Sequence, residues 1–331
     1  MGKIRVAING FGRIGRITFR AMIKDNDIEI VAINDLADTR TLAHLLKYDS
    51  IHGIFDGTIE KEGTTMIVNG QRIATLSERD PALLPWGEMG IDVVLESTGL
   101  FRDEEETKVH LASGARKVIL SAPPGNGGIK SVVLGINEDI IDERDTIISN
   151  ASCTTNCAAP MIKVLDDNWG VDHGFITTIH SYTGDQRLHD APHQDLRRAR
   201  AAGQSMIPTS TGAAKAITKI FPHLEGHLGG CGIRVPVPDG SLTDITCTLT
   251  NETTEAAINE AFKNAANGEL KGILEYTEDP IVSIDIVGNY HSCIFDSLLT
   301  SVLGKVVKIV GWYDNESGYS ARLVELVKKI G

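Results

Sequence analysis

The sequence predicts an α/β chain, with a doubly wound parallel sheet in its first half and an α+β unit on a mixed or mostly antiparallel sheet in its second. Three observations predict it. Short apolar runs alternate with helix-period segments up to about residue 150, and that alternation implies parallel strands, because a crossover helix must cover the sheet. After Cys153 the apolar segments lengthen and follow one another with less helix between them, the texture of strands joined by turns. The chain also has 331 residues, past the roughly 250–300 at which a single core stops growing, so two domains are expected.

Taking the elements in order, Ile4–Asn9 is apolar, Arg13–Lys24 carries Ile14, Ile17, Phe19 and Ile23 among polar residues, and Ile28–Asn34 is apolar again. That reads strand, helix, strand. Further strands are expected at Asp92–Glu96, Lys117–Ser121 and Thr146–Ser149, with a helix over Asp103–Ser113. In the second half a helix over Thr154–Asn168 precedes strands at Phe175–His180, Gly232–Val237, Leu242–Thr250, Val282–Ile286 and Lys305–Tyr313, and a helix from about Glu316 to Ile330 follows. Between His180 and Pro208 runs a polar stretch with Arg187, Arg197, Arg198 and Arg200. Connections of that length are usually functional or held by a partner chain.

Composition narrows the function classes. A formal net charge of -12 and a pI near 5.3 argue against a nucleic-acid partner, which calls for a basic face. No run of about 18 apolar residues occurs, so no membrane-spanning helix is expected. The N-terminus has no basic n-region or cleavage site, and five scattered cysteines do not suggest a disulfide framework. A reducing, cytoplasmic setting is the expectation. No metal is expected, because the Cys153/Cys157 pair has no second Cys or His pair at ligand spacing.

Gly10, Gly12 and Gly15 spell GxGxxG after the first strand and at the start of the first helix. The first permits a tight turn, the second lets backbone approach a pyrophosphate, and the third allows helix-to-strand packing, while the helix N-terminus attracts the phosphates. Asp35 ends the next strand about 20 residues beyond the last glycine, where a carboxylate bonds an adenosine ribose and repels a 2′-phosphate. The context reads as a Rossmann-like site for NAD rather than NADP. The glycines by themselves would also suit a turn with no ligand.

Asn150 to Cys157 stands where the second half begins and leads into a helix. Ser152 or Asn150 can cap it, placing Cys153 in the first turn, where the dipole favours a thiolate. A free cysteine is as often a small buried hydrophobe, and position alone does not choose. Cys157, a turn later, fits that second description. His180 ends an apolar strand and opens the long polar stretch, a place from which an imidazole can take a proton in a cleft. His173, His189 and His193 lie among hydrophilic residues and are expected to be solvated.

The motifs Asn9-Gly10-Phe11-Gly12-Arg13-Ile14-Gly15-Arg16, Ser149 to Cys157, His180-Ser181-Tyr182-Thr183, Asp195-Leu196-Arg197-Arg198-Ala199-Arg200, Ser210-Thr211-Gly212-Ala213-Ala214-Lys215 and Trp312-Tyr313-Asp314-Asn315-Glu316 span nearly the whole chain. Through them the sequence closely resembles the phosphorylating glyceraldehyde-3-phosphate dehydrogenases. The resemblance implies an NAD-binding domain over residues 1–152, completed by the C-terminal helix at about 316–331, and a catalytic domain over 153–315. It also implies a cytoplasmic homotetramer in which the long segment after His180 lines a neighbour's cofactor cleft.

The substrates it implies are glyceraldehyde 3-phosphate and inorganic phosphate, with NAD as cofactor, Cys153 as nucleophile and His180 as base. A hemithioacetal, loss of hydride to the nicotinamide and attack of phosphate on a thioester would give an acyl phosphate. Thr183 and Arg234 match the subsite for the substrate's own phosphate, and Ser152, Thr154, Thr211 and Gly212, with Arg198 nearby, match that for inorganic phosphate. Asn9 belongs to the cofactor loop, Arg13 and Ile14 flank the pyrophosphate, and Arg79 matches an adenine-side position. Ser97, Thr98, Gly99 and Ser121 match residues along the cofactor, and Asn315 matches the residue that orients the carboxamide.

Leu36 and Pro192 stand where NADP-using relatives carry small polar residues, which again favours NAD. Erythrose-4-phosphate dehydrogenases share the Cys and His but alter the stretches that here read Tyr182-Thr183 and Ser210-Thr211-Gly212. A non-catalytic NAD-binding protein would not need Cys153, His180, Arg234 and Asn315 together, and a Cys-His hydrolase leaves Asp35 and Asn315 unexplained. The chain departs from the family at Pro238-Asp239-Gly240-Ser241 and in the loop Pro123 to Gly128, neither of which is expected to touch the chemistry.

Overall fold

The computed structural model describes residues 2–331, which divide into two compact units. One holds the chain up to Val132 together with Asp139–Ala151 and Ser320–Gly331, and the other holds Val133–Glu138 and Ser152–Tyr319.

The first unit runs β1 (Ile4–Asn9), α1 (Arg13–Met22), β2 (Ile28–Asn34), α2 (Thr39–Lys47), a small ribbon of β3 (Tyr48–Asp49) and β4 (Gly53–Ile54), then β5 (Ile59–Glu62), β6 (Thr65–Val68), β7 (Gln71–Leu76), β8 (Val93–Glu96), α3 (Glu104–Ala112), β9 (Lys117–Leu120), β10 (Lys130–Ser131) and β11 (Ile147–Ser149). Nine strands form one sheet in the order β10-β11-β9-β8-β1-β2-β7-β6-β5. Neighbours from β10 to β7 are parallel, and β6 and β5 extend that edge antiparallel. One core cluster joins Ala7, Ala32, Val94, Val118 and Leu120 of the strands to Leu84, Trp86 and Ile91. Burial on that scale explains why the strands read as continuous apolar runs. The β5–β7 meander went unforeseen, although Asn69-Gly70, both at positive φ (50° and 82°), is the strongest two-residue hairpin signal a sequence offers.

The second unit opens with α4 (Cys153–Trp169), β12 (Val171–Ser181), β13 (Ile207–Thr209), α5 (Ala213–Ile220), β14 (Leu228–Val235), β15 (Ser241–Leu249), α6 (Glu255–Asn267), β16 (Leu274–Thr277), β17 (Cys293–Asp296), β18 (Ser301–Leu303) and β19 (Val306–Tyr313), and α7 (Ser317–Ile330) follows. Its eight strands are ordered β13-β14-β12-β15-β19-β17-β16, with β18 on β19. Two pairs, β12 with β14 and β16 with β17, are parallel and the rest antiparallel, so the sheet is mixed. Helix α4 is buried almost throughout from Thr154 to Leu165, and α4, α5 and α6 pack on the sheet. Phe262 of α6 stacks on Phe295 of β17 with ring centroids 3.8 Å apart.

The strand expected at Val282–Ile286 is a 3-10 turn over Ser283–Ile286. Its alternation is real, but Val282 and Ile284 face solvent, and the Asp285 carboxylate accepts from the Val282 N–H at 2.8 Å. Such a local side-chain bond competes with a ladder. The strands nearby are β16 and β17. The expected Gly232–Val237 strand starts earlier, at Leu228, because Gly230 lets backbones approach: a Cβ there would lie 2.5 Å from Ile176 O.

One half-buried ion pair anchors the start of the first unit. Burial by itself would raise the Asp49 carboxyl, but the N–H groups of His52 and Ile51 and the Arg13 guanidinium at 2.6 Å outweigh it, bringing the group down to about 2. A carboxyl with a depressed folded pKa stabilises above its unfolded value near 3.8 and loses that contribution as pH falls toward 2. Asp49→Asn is therefore expected to lower Tm at neutral pH, with the gap to the parent narrowing as pH drops below about 4. Thermal scans across that range check it, and a gap independent of pH would assign the loss to packing.

Candidate active site

In the first unit, three glycines build the loop between β1 and α1. Gly10 has φ +93°, and a Cβ on it would fall 2.6 Å from Thr98 N. A Cβ on Gly15 would fall 2.2 Å from Gly10 O, whereas one on Gly12 would meet nothing within 4 Å. The first and third glycines are thus required by the fold itself. The fold itself does not require the second. Gly12 is the N-cap of α1, which has no side-chain cap and no acidic residue in its first turn, so its N-terminus is available to an anion.

Asp35 follows β2 and is held from two sides: Oδ2 accepts from Phe11 N at 2.8 Å and Oδ1 from Ala37 N at 3.0 Å. Each oxygen keeps a further acceptor site for a hydroxyl. The groove at this loop, about 290 Å³, is lined by Asn9, Gly10, Gly12, Asp35, Arg79, Ser97 and Thr98 among the expected residues, and also by Asn34, Leu36, Glu78, Pro81, Leu100 and Phe101. Arg13, Ile14, Gly15, Gly99 and Ser121 do not line it. Arg13 spends its guanidinium on Asp49, and Ser121 N donates to Glu96 O at 2.9 Å.

In the second unit, Ser152 caps α4 by accepting from Thr155 N at 3.0 Å, so Cys153 is the first helical residue. Ala151, just before the cap, has a left-handed φ of 54°, a conformation costing a non-glycine residue on the order of 1 kcal/mol. Cys153 Sγ lies 3.4 Å from His180 Nε2. The other ring nitrogen, Nδ1, lies 2.7 Å from Ser181 O. A carbonyl only accepts, so the tautomer with Nδ1–H makes this bond and leaves Nε2 as a proton acceptor facing the thiol; in that tautomer Arg234, itself only a donor, gives its hydrogen to Ser181 O and not to the ring.

The parallel register of β12 and β14 pairs His180 with Arg234. Arg234 Nη1 donates to the same Ser181 carbonyl at 3.0 Å and stands 2.8 Å from His180 Nδ1. Burial, and then the charge of Arg234, hold the imidazole down to about 3. Burial also pushes the Cys153 thiol up to about 11, against the opposite pull of Arg234 and hydrogen bonds at Thr154. Both shifts favour a thiol facing a neutral imidazole.

Thr154 Oγ1 bonds Tyr313 OH at 2.9 Å, Tyr313 OH bonds Thr178 Oγ1 at 2.8 Å, and the Tyr313 ring meets the His180 ring edge to face. Arg198 is tied to Asp185, Asp195 and Thr209. Thr183 N donates to Gln186 Oε1 at 3.3 Å, Thr211 Oγ1 accepts from Ala213 N at 3.2 Å, and Gly212 begins α5. His193, expected in solvent, is instead folded into the loop, with Nδ1 accepting from Asp195 N at 2.9 Å.

Sequence reasoning missed what surrounds Asn315. Its Oδ1 accepts from Ser181 Oγ at 2.7 Å and Ser241 Oγ at 2.6 Å, which fixes the amide with its Nδ2 donor unpartnered among the described residues. Ser241 belongs to the stretch expected to lie away from the chemistry. Single hydroxyls inside apolar strands carry no spacing signal, and only the β12–β15 pairing brings these together.

A parallel sheet offering a glycine loop and, after its second strand, a carboxylate with spare acceptor sites is the equipment of an NAD-dependent oxidoreductase, here in a chain that also sets a thiol against an imidazole. Residues 4–104 match the model of the glyceraldehyde 3-phosphate dehydrogenase NAD binding domain, and residues 152–315 match that of the glyceraldehyde 3-phosphate dehydrogenase C-terminal domain. Over 99% of this chain and 98% of the relative, it is 56% identical to glyceraldehyde-3-phosphate dehydrogenase 2 of Streptomyces avermitilis. With the same coverage it is 54% identical to glyceraldehyde-3-phosphate dehydrogenase of Geobacillus stearothermophilus and 55% identical to that of Mycobacterium avium. The chain belongs to the glyceraldehyde-3-phosphate dehydrogenase family, and its cofactor is NAD.

The open space at Gly12 yields a sharp expectation. Gly12→Ala should leave Tm nearly unchanged yet weaken NAD binding by about tenfold or more, since a methyl there meets only the incoming pyrophosphate. Calorimetric titration of the apoenzyme measures this. Equal affinity would place the pyrophosphate elsewhere.

Proposed function

We propose that the chain oxidises glyceraldehyde 3-phosphate to an acyl phosphate with reduction of NAD, a reading carried by the 3.4 Å approach of Cys153 Sγ to His180 Nε2. His180 Nε2 takes the thiol proton as the sulfur of Cys153 adds to the aldehyde carbon, and returns it to the oxygen to complete a hemithioacetal. The same nitrogen then accepts the hydroxyl proton as hydride leaves that carbon. Bound NAD supplies the acceptor for the hydride. Inorganic phosphate attacks the resulting thioester, the carbon–sulfur bond breaks, and Cys153 departs as thiolate.

Asn9, Gly10, Gly12, Asp35, Arg79, Ser97 and Thr98 hold the adenosine side of NAD, with Arg13, Ile14 and Gly15 contributing the helix N-terminus and Gly99 and Ser121 lying along the cofactor. The open cradle at Gly12 and the spare acceptor sites on Asp35 support this. Asn315 donates its unpartnered Nδ2 to the carboxamide. Leu36 on the groove wall and Pro192 favour NAD over NADP. Thr183 and Arg234 take the substrate's phosphate, and Ser152, Thr154, Thr211 and Gly212, with Arg198, take inorganic phosphate.

The working arrangement is an NAD-binding domain of residues 1–152 completed by about 316–331, a catalytic domain of 153–315, and a cytoplasmic homotetramer. Exposed Leu188, Leu196 and Met206 on the long segment, and Phe175 on the sheet, support burial of these surfaces against other copies. No helix is long and apolar enough to cross a membrane among the described residues.

The first assay is phosphate-dependent NAD reduction with glyceraldehyde 3-phosphate, set against erythrose 4-phosphate and NADP; preference for the tetrose would overturn the substrate assignment. Cys153→Ser is expected to abolish turnover while NAD still binds, and a variant as active as the parent would sink the covalent route. His180→Asn should slow acylation by roughly 10² to 10⁴, read from the pre-steady-state burst. Asp35→Gly with Leu36→Thr and Pro192→Ser should admit NADP, so an unmoved cofactor preference would refute the ribose assignment.

A further inference from the structure

The groove of the first unit rests on a buried carboxylate that does not line it. Strand β1 lies between β2 and β8, and the parallel registers set Asn9 beside Asn34 on one side and beside Glu96 on the other. This row is 2%, 5% and 2% exposed for Asn9, Asn34 and Glu96. Glu96 Oε2 accepts from Asn9 Nδ2 at 2.6 Å and from His110 Nε2 at 3.0 Å, and Oε1 accepts from Thr98 N at 2.7 Å and from Thr98 Oγ1. No Arg or Lys pairs with it among the described residues.

The direction of each bond follows from the chain ends. Trp86 Nε1, a donor only, reaches His110 Nδ1 at 3.0 Å, so Nδ1 accepts and the His110 proton sits on Nε2, aimed at Glu96. At the far end Asn34 is locked by backbone: Oδ1 accepts from Glu78 N at 2.8 Å and Nδ2 donates to Glu78 O at 2.9 Å and to Asn9 Oδ1 at 2.7 Å. Asn9 therefore presents its amide nitrogen to Glu96, and the carboxylate is where the donors from both sides end. Asn9, Asn34, Glu78 and Thr98 all line the groove, and Gly10 packs on the backbone of Ser97 and Thr98.

We propose that Glu96 is a positioning residue for the dinucleotide: its carboxylate presets the Asn9–Gly10 and Ser97–Thr98 walls so that NAD binds without first ordering them. A buried, uncompensated carboxylate is costly unless every donor around it is satisfied. Here four donors converge on it, two of them from a residue of the groove wall and one from another. The proposal rests on the reading of this groove as the NAD site.

Glu96→Gln keeps shape and replaces one acceptor by a donor. Turned one way, the new NH₂ faces the Thr98 N–H. Turned the other, it faces Asn9 and His110, and Asn9 cannot rotate to meet it without opposing the nitrogen of Asn34, which Glu78 holds in place. NAD titration of the apoenzyme should show a Kd raised about tenfold, the scale of one unsatisfied buried polar group, with kcat at saturating NAD within about twofold of the parent and KM for the triose phosphate unmoved. His110→Phe, outside the groove, removes a single donor and should raise Kd by a smaller factor, and it serves if Glu96→Gln does not fold. A lowered apoenzyme Tm with Kd unchanged would make Glu96 merely structural, and a fall in kcat alone would equally overturn the proposal. Asp35→Ala is the control: Kd unmoved in that variant too would discard the groove as the NAD site, whereas Kd raised in it but not in Glu96→Gln would discard only the positioning role.

Discussion

The thiol centre depends on one carbonyl. Ser181 O lies 2.7 Å from His180 Nδ1 and accepts a hydrogen from Arg234, so this single acceptor favours the Nδ1–H tautomer of the imidazole and fixes the place of the neighbouring cation. Without it the imidazole could turn its protonated nitrogen toward Cys153 and lose the capacity to receive a proton. With it, Nε2 is the acceptor, and burial, helped by the charge of Arg234, disfavours a charged ring. The carbonyl is held in turn by β12, the longest strand of its sheet, paired on both sides.

The sequence suggested a thiolate at the first turn of α4, because a helix N-terminus favours an anion. The structure sets a larger effect against it. A first-turn dipole contributes roughly 0.3–1 kcal/mol, whereas moving a thiol from the usual 9.0 to about 11 corresponds to roughly 3 kcal/mol. Burial and the dipole therefore pull the resting thiol in opposite directions, and burial favours the protonated form. An unprotonated imidazole against a protonated thiol is nonetheless a workable starting point, since the proton has a short path to leave by when the sulfur meets an electrophilic carbon.

How much was legible follows from how far each signal reaches along the chain. The strand–helix alternation of the first half was readable because both faces of a parallel sheet are buried, so each strand is a plain apolar run. The Val282–Ile286 segment misled for the opposite reason: alternation marks a half-buried strand only where something covers one face, and here Asp285 bonds its own backbone instead. Glycine-rich β14 was read short because Gly229, Gly230 and Gly232 carry no side chain to show a period. Cys153 and His180 could each be nominated locally, but their meeting across 27 residues comes from tertiary packing. Tyr313, Ser181 and Ser241 were invisible as site neighbours for the same reason, as their hydroxyls have no local signature in a strand.

Parallel pairing is the device both units use to assemble polar rows. In the first unit it aligns Asn34, Asn9 and Glu96 at the C-terminal ends of three neighbouring strands, where a doubly wound sheet opens its crevice. In the second, where most pairs are antiparallel, β12 and β14 are the long exception, and their register sets His180 beside Arg234. Antiparallel neighbours would carry the end of one strand to the start of the next and scatter such residues to opposite edges. Parallel neighbours deliver strand ends to one edge, so a few polar side chains can share a carbonyl or a carboxylate and fix one another's protons. The mixed topology of the second sheet thus has a local consequence: one long parallel pair is enough to bring an imidazole and a cation to the same acceptor, and the mostly antiparallel remainder supplies the rigid support that keeps them there.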